Sequence, residues 1–314
     1  MLSASEAQAR APGTTAKIIG GITTAADGTG EPTLAAPAIA LGARKLGAKI
    51  YQHCAVRGVE RTAGAVSAVI TEKGRVAAST VVIAGGVWSP MIGHDLGLDL
   101  PTVQCFAKAM SLQPFEGAPD YGTTSVAGKT LVGWRKQFDE GYVVWEFRGV
   151  DPILPTSISR YFQLRPAIEA NGDAMEPRFN PRTFWRWLNV GGPVPLDRPG
   201  PYEQTRIYEP ELMTDAIDEG FAHLQAVMPV FKNGPVRERW SGAMQMCVDN
   251  MPILSSIDTI PGLVVGSGLL YGLTMGPGAG LVLADLATGT KPAIDVSHFR
   301  FSRFTDGSKI QYYA

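Results

Sequence analysis

Short apolar runs separated by glycine-containing turns fill the first third of the chain. Residues 54–59, 65–71 and 76–83 each read as a strand. The middle run alternates, with Val66, Ala68 and Ile70 on one face. It is bounded by Thr62-Ala63-Gly64 and Glu72-Lys73-Gly74, two hairpin signals. Residues 80–84, TVVIA, are apolar on both faces, which predicts a central strand ending at Gly85-Gly86. Ahead of these runs, Leu34, Ala38 and Leu41 follow Pro32 at helical spacing, with Gly47 as the stop. Ala48–Tyr51 then reads as a short strand.

From Cys105 to Glu146 the texture is β-rich and aromatic. Between Glu211 and Pro229, Met213, Ile217, Phe221, Leu224 and Met228 fall on one stripe and predict an amphipathic helix. GLVVGS, residues 262–267, reads as a buried strand that feeds the glycine-rich stretch GSGLLYGLTMGPGAG (266–280). No charge occurs from Thr259 to Ala284, which is length enough for a bilayer span. Seven glycines, Pro261 and Pro277 interrupt it, so a buried strand, turn and helix is the expectation, with no membrane span.

Charge and cysteine usage narrow the partners. With 28 Lys and Arg against 29 Asp and Glu in 314 residues, nothing calls for nucleic acid or an anionic surface. Cys54, Cys105 and Cys247 are widely spaced, without CxxC, so neither a disulfide framework nor a zinc site is indicated. No signal-peptide pattern opens the chain, and a reducing cytoplasm is the expected compartment. His53, His94, His223 and His298 are scattered, without metal-ligand spacing. The aromatic run Trp185–Trp187 suits core packing or a pocket wall.

The glycine stretch is not a stand-alone dinucleotide fingerprint. Gly266-x-Gly268 begins one, but Tyr271 stands at the third glycine position, and after Gly276-x-Gly278 that position is Leu281. No GKS or GKT follows. Two readings stay open: a tight turn that packs a helix on a strand, or a loop whose amides face a flat, polar ligand edge.

Four segments in order carry a family resemblance: GGITTAADGTGEP (20–32), AKIYQHCAVRGVE (48–60) with STVVIAGGVWSP (79–90), RWSGAMQMCVDNMPIL (239–254) and PGLVVGSGLLYGLTMGPGAGLVLADLATG (261–289). Through them the chain resembles the FAD-dependent oxidoreductases of the D-amino-acid oxidase, glycine oxidase and sarcosine oxidase family. The resemblance implies an α/β fold. An incomplete, Rossmann-like FAD-binding domain would comprise 1–104 and 236–290, with a β-rich substrate domain inserted at 105–235 and a tail at 291–314. It implies that Val56 meets the adenine side of FAD through its backbone. Ala84, Gly85 and Gly86 would pass close to the cofactor, with Trp88 near the flavin. Gly268 and the amides of Leu270, Tyr271, Gly272, Leu273, Thr274 and Met275 would serve the flavin edge.

Two departures accompany it. The family's opening GxGxxG unit has no counterpart in this sequence, so the resemblance implies an N-terminally truncated member, and activity that depends on the missing unit. Where several members carry a substrate-clamping arginine, this chain has Met244; Arg135 or Arg160 would substitute, and Tyr271 would face substrate. No cysteine corresponds to the flavin-tethering one of some sarcosine oxidases, Cys247 being misplaced, so FAD is expected to be non-covalent. The implied reaction is oxidation of the C–N bond of an amino acid or related amine by hydride transfer to flavin. A non-catalytic remnant or subunit with a partner chain or second copy is the alternative, and a flavin-dependent 2-hydroxy acid oxidoreductase a third reading.

Overall fold

The computed structural model describes all residues except 27, 122–123, 127–131, 147–148, 172–174, 189–194, 311 and 313–314. The stretch expected to be β-rich, 105–146, therefore includes residues outside the described ones. The chain is a mixed α/β fold that divides into two compact units, each built from three stretches. Unit 1 comprises Met1–Pro37, Phe106–Val150 and Glu209–Gly242. Unit 2 comprises Ala38–Cys105, Asp151–Tyr208 and Ala243–Ala314.

Helix α1 (Ala4–Arg10) starts at a reciprocal cap: the Ser3 hydroxyl accepts from the Glu6 amide at 3.3 Å, and the Ser3 amide donates to Glu6 Oε2 at 2.8 Å. Helix α2 (Pro32–Lys45) begins with proline at its first position, where no amide is needed, and Gly47 closes it at φ +99°. Ala48–Tyr51, expected as a strand, is irregular. Strands β1 (Val56–Thr62), β2 (Ala65–Thr71) and β3 (Gly74–Ala77) form an antiparallel meander. Its first turn places Ala63 and Gly64 at positive φ, +51° and +85°, as a two-residue hairpin demands. The expected run 76–83 is two strands, β3 and β4 (Val81–Ile83), parted at Ala78–Thr80.

Helix α3 (Ser89–Asp95) follows, then β5 (Thr102–Leu112), β6 (Thr124–Val126), β7 (Val132–Lys136), β8 (Tyr142–Glu146) and β9 (Gly149–Pro152). Next come α4 (Pro155–Ser159), α5 (Tyr161–Asn171), β10 (Met175–Arg178), α6 (Pro181–Leu188) and α7 (Pro201–Gln204). The remainder is α8 (Thr214–Val227), β11 (Val236–Cys247), β12 (Ile253–Ser256), β13 (Leu263–Ser267) and α9 (Gly272–Thr288). The largest sheet runs β10-β9-β5-β8-β7-β6, with β11 paired to β5.

In unit 1, α8 lays the predicted stripe on this sheet. Ile217, Phe221, Leu224 and Met228 pack with Met110, Leu112, Trp134 and Phe231. In unit 2, β13 pairs antiparallel with β12 and parallel with β4. Ile83, Leu100, Cys247, Ile253 and Val265 belong to its main core, and α9 covers a second one through Ala279, Val282 and Leu283. The stretch 259–284 is thus strand, turn and helix, and no helix among the described residues is long and apolar enough to cross a membrane.

One feature corrects the sequence expectation. Strand β4 is not central: it ends the order β12-β13-β4, and Val82 is 40% exposed. Apolarity on both faces thus reports neither burial of both nor the number of neighbouring strands: Ile83 is buried, whereas Val82 faces the larger opening of the unit. The units also divide differently from the expected 1–104 with 236–290, 105–235 and 291–314. Thr15 donates its amide to the Val227 carbonyl at 2.8 Å, which ties residues 1–37 into unit 1. Residues 151–208 join unit 2, where Arg160 pairs with Asp99. In the C-terminal stretch, Arg303 forms a buried ion pair with Asp249 inside unit 2.

Candidate functional site

Unit 2 contains a cavity of about 750 Å³. Its apolar wall comes from β1, β2 and β4 (Val56, Val59, Val69, Val82), and its far side from Trp88, Ile92 and Tyr202. The end of β4 shapes it. After Ile83 the chain turns through Ala84 and Gly85, the Gly85 amide donates to the Ser89 hydroxyl at 2.9 Å, and Gly86 sits at φ +56°. Glycine suits that left-handed conformation, and a Cβ there would meet nothing within 4 Å, so the space above the turn is open.

Trp88 is fixed by three rings: Trp187 and Tyr202 with centroids 6.0 Å away, and Tyr208 at 6.2 Å. The basic side chains nearby are committed to acids. Arg57 pairs with Glu203 at 2.7 Å, and Arg206 grips both oxygens of Glu72 at 2.7 and 2.6 Å. Hydrogen bonds from Arg206, and one from the Ala55 amide, bring the Glu72 carboxyl down to about 2. The Tyr202 hydroxyl is buried without a hydrogen-bond partner, and burial pushes its ionisation upward.

The cavity brings together Val56, Ala84, Gly85 and Trp88 from two separated stretches of sequence. Residues 268–275 are not among its walls. Gly268, at φ +76°, has a packing reason of its own, since a Cβ there would lie 2.4 Å from Cys247 Sγ. The Leu270 amide already donates to the Gly268 carbonyl at 3.0 Å, and that of Met275 to Tyr271 at 2.9 Å. Gly272, Leu273 and Thr274 open α9, where no preceding turn accepts their amides. The Tyr271 side chain is exposed rather than packed in a core.

The guanidinium candidates sit differently. Arg135, at the end of β7 in unit 1, is filled by Glu31, Nη1 to Oε2 at 2.9 Å and Nη2 to Oε1 at 3.0 Å. Arg160, between α4 and α5 in unit 2, donates to the Leu100 carbonyl and Gln163 Oε1, each at 3.1 Å, and pairs with Asp99. Met244 is half-buried on β11. Cys247 is a fully buried free thiol, pushed up to about 12 by burial, a poor nucleophile for any tether. Sequence reasoning missed Tyr202 and Ile207. They lie on and after a four-residue helix with no periodic signal, and only tertiary folding carries them to β1 and β4.

A family model described as FAD dependent oxidoreductase, DAO, matches residues 1–286. A D-amino acid dehydrogenase of Sinorhizobium medicae is 27% identical over 295 residues, which is 92% of this chain and 56% of that protein. The chain thus spans about half the length of the curated relatives it matches. L-amino acid deaminase from Proteus myxofaciens, solved in complex with anthranilate, superposes with a TM-score of 0.87 at 30% identity, over 97% of this chain and 67% of that one. Glycine oxidase from Geobacillus kaustophilus shares the fold, with a TM-score of 0.67 at 18% identity over 96% and 66% of the two chains. A match over residues 1–286, most of the sequence, makes the chain a member of the DAO family of FAD-dependent oxidoreductases.

Proposed function

We propose that this chain forms part of an FAD-dependent oxidoreductase that oxidises the C–N bond of an amino acid or related amine. The observation that carries the reading is the 750 Å³ cavity, which gathers Val56, Ala84, Gly85 and Trp88 beside an open glycine turn. Its volume lies within the usual range of small-molecule sites, and the unpartnered Tyr202 hydroxyl offers a buried polar contact. These residues fit part of the cofactor. Val56 would hold its adenine side through the backbone, the Gly85-Gly86 turn would let it pass closely, and Trp88 would exclude water.

FAD, when bound, supplies a hydride acceptor for the carbon bearing the amine. Donors at the start of α9, the amides of Gly272, Leu273 and Thr274, would favour negative charge at a flavin edge. Tyr271, Met244, Arg160 and Arg135 remain the substrate-side candidates, the two arginines for a carboxylate. The names of the relatives differ in the hand of the amino acid and agree on the amino acid itself. The buried Cys247 thiol supports non-covalent FAD. The reading includes a cytoplasmic location, which the three free thiols support. It also includes a partner chain or second copy, supported by the exposed apolar side chains of α2, Leu34, Ile39 and Leu41.

A second reading is a non-catalytic subunit, in which the cavity holds no flavin. The visible spectrum of the purified chain, before and after incubation with FAD and gel filtration, separates the two. A retained flavin spectrum supports the oxidoreductase, and a colourless protein supports the subunit. With flavin bound, a panel of amino acids against 2-hydroxy acids, read with an artificial electron acceptor, tests the substrate class.

A further inference from the structure

The turn between β2 and β3 reaches back across the sheet. Thr71 shapes it, its hydroxyl donating to the Gly74 carbonyl at 2.8 Å and accepting from the Lys73 amide at 3.1 Å. From that turn two side chains hold the segment that enters β1. Lys73 Nζ donates to the Gln52 carbonyl at 3.3 Å, and Glu72 Oε1 accepts from the Ala55 amide at 2.7 Å. The Glu72 backbone amide donates to the Ala55 carbonyl at 3.0 Å. One residue thus fixes both backbone groups of Ala55, once through its side chain and once through its main chain.

That fixing sets the direction of the next residue. Strand β1 is an edge of the sheet β1-β2-β3, and Val56 stands opposite Thr71. Along an antiparallel edge strand, residues alternate between bonding the neighbour and facing away from it. Ala55 bonds Glu72, so the Val56 amide and carbonyl face away from β2, and Val56 lines the 750 Å³ cavity. A donor and an acceptor on one residue suit a ligand edge that sets an acceptor beside a donor. Adenine has that edge, N1 beside the 6-amino group; guanine has the reverse, N1–H beside O6. The Glu72 carboxylate is itself held in one orientation, because Arg206 donates to both its oxygens at 2.7 and 2.6 Å. Arg206 and Ile207 line the same cavity, so the pair also ties that part of its wall to the sheet.

We propose that Glu72 is a positioning residue for the nucleotide half of the cofactor and the source of a preference for adenine. The assignment rests on the FAD reading above and deepens it. By pinning Ala55, Glu72 keeps the Val56 donor and acceptor aimed into the cavity. Residues 48–55 belong to no helix or strand, so Glu72 and Lys73 supply bonds that a ladder would otherwise give. The bond to Ala55 needs only an oxygen, whereas the pair with Arg206 needs the charge, and substitution can therefore separate the two.

The test is calorimetric titration of the full chain with FAD, ADP and GDP, for the unaltered protein and three variants, with the melting temperature of each recorded. The unaltered chain should bind ADP at least about tenfold more tightly than GDP. Glu72→Ala should weaken ADP at least about tenfold and bring the two nucleotides within about threefold of each other. Glu72→Asp keeps the charge but withdraws the oxygen from Ala55. It should behave like Glu72→Ala, and it decides the matter should the alanine variant fail to fold. Glu72→Gln keeps an oxygen for the Ala55 amide and should retain most of the preference. A residue that served stability alone would lower the melting temperature and leave the ADP-to-GDP ratio where it was. That outcome, or no preference in the unaltered chain, overturns the role of Glu72 and leaves the FAD reading standing. An unaltered chain that binds neither FAD nor ADP overturns both.

Discussion

The Arg135 guanidinium and the Glu31 carboxylate face each other as a two-pronged pair, with bonds of 2.9 and 3.0 Å and both side chains largely buried. Glu31 also supplies the carbonyl that accepts the Leu34 and Ala35 amides at 3.0 and 2.9 Å, so the pair fastens the start of α2 to β7. Glu31→Gln leaves a mostly buried guanidinium without its counter-charge and should cost about 3 kcal/mol, read from the urea midpoint at pH 7. The pH dependence has a definite sign. Hydrogen bonding to Arg135 holds the Glu31 carboxyl below its ordinary 4.5. The stabilisation is therefore full above that value and is lost as pH falls through the lowered one, so the difference between the variant and the unaltered chain should shrink in acid.

A second buried pair fixes the C-terminal stretch. Arg303 donates to both oxygens of Asp249 at 2.8 and 3.0 Å and to the Met251 carbonyl at 2.7 Å, with its guanidinium 4.1 Å from the Phe304 ring centre. Arg303→Ala strands a buried carboxylate and should lower stability by about 3–5 kcal/mol, visible as an early melting transition in calorimetry.

Glycines of the loop before α9 should respond unequally. Gly268→Ala must relieve a 2.4 Å approach to Cys247 Sγ at a positive φ, and a loss of about 2–4 kcal/mol is expected. Gly272→Ala meets nothing within 4 Å and should stay within about 0.5 kcal/mol of the unaltered chain. Thermal melts of the two variants side by side make the comparison. Equal losses would mean that the loop is held by something other than Cys247.

Asp151 titrates in the opposite sense from Glu31. Burial raises its carboxyl from 3.8 to about 6, while a 3.1 Å bond from the Glu176 amide opposes the shift. Ionisation is therefore penalised in the folded chain. The penalty is absent below about 4, grows up to about 6, and reaches about 3 kcal/mol above that. Asp151→Asn keeps an oxygen for the Glu176 amide and should raise stability at pH 8, with little change at pH 4, in denaturant titrations at the two pH values.

What the sequence made legible was local. Strand β2 was read at Ala65–Thr71, where alternation and two glycine turns fix both its face and its ends. The stripe from Ile217 to Met228 placed α8 because its period is helical whatever it packs on. Neighbours in space were not legible. TVVIA announced a strand but not that β4 would end its sheet with Val82 exposed, and Thr15 gave no sign of reaching Val227. The site followed the same rule. Val56, Ala84, Gly85 and Trp88 sit on stretches with a recognisable pattern and do meet at one cavity. Tyr202 carries none, and its unpartnered hydroxyl exists only once the surrounding chain has folded.

The threefold interleaving of each unit has a practical consequence for dissecting the protein. The stretch Phe106–Val150 lacks both α8 and the N-terminal residues that share its unit, and Asp151–Tyr208 lacks the core strands of its own. No contiguous fragment cut from the chain contains either unit alone, and a single proteolytic nick releases neither. To isolate one body for study, its three stretches would have to be cut from the gene and rejoined to one another through new linkers.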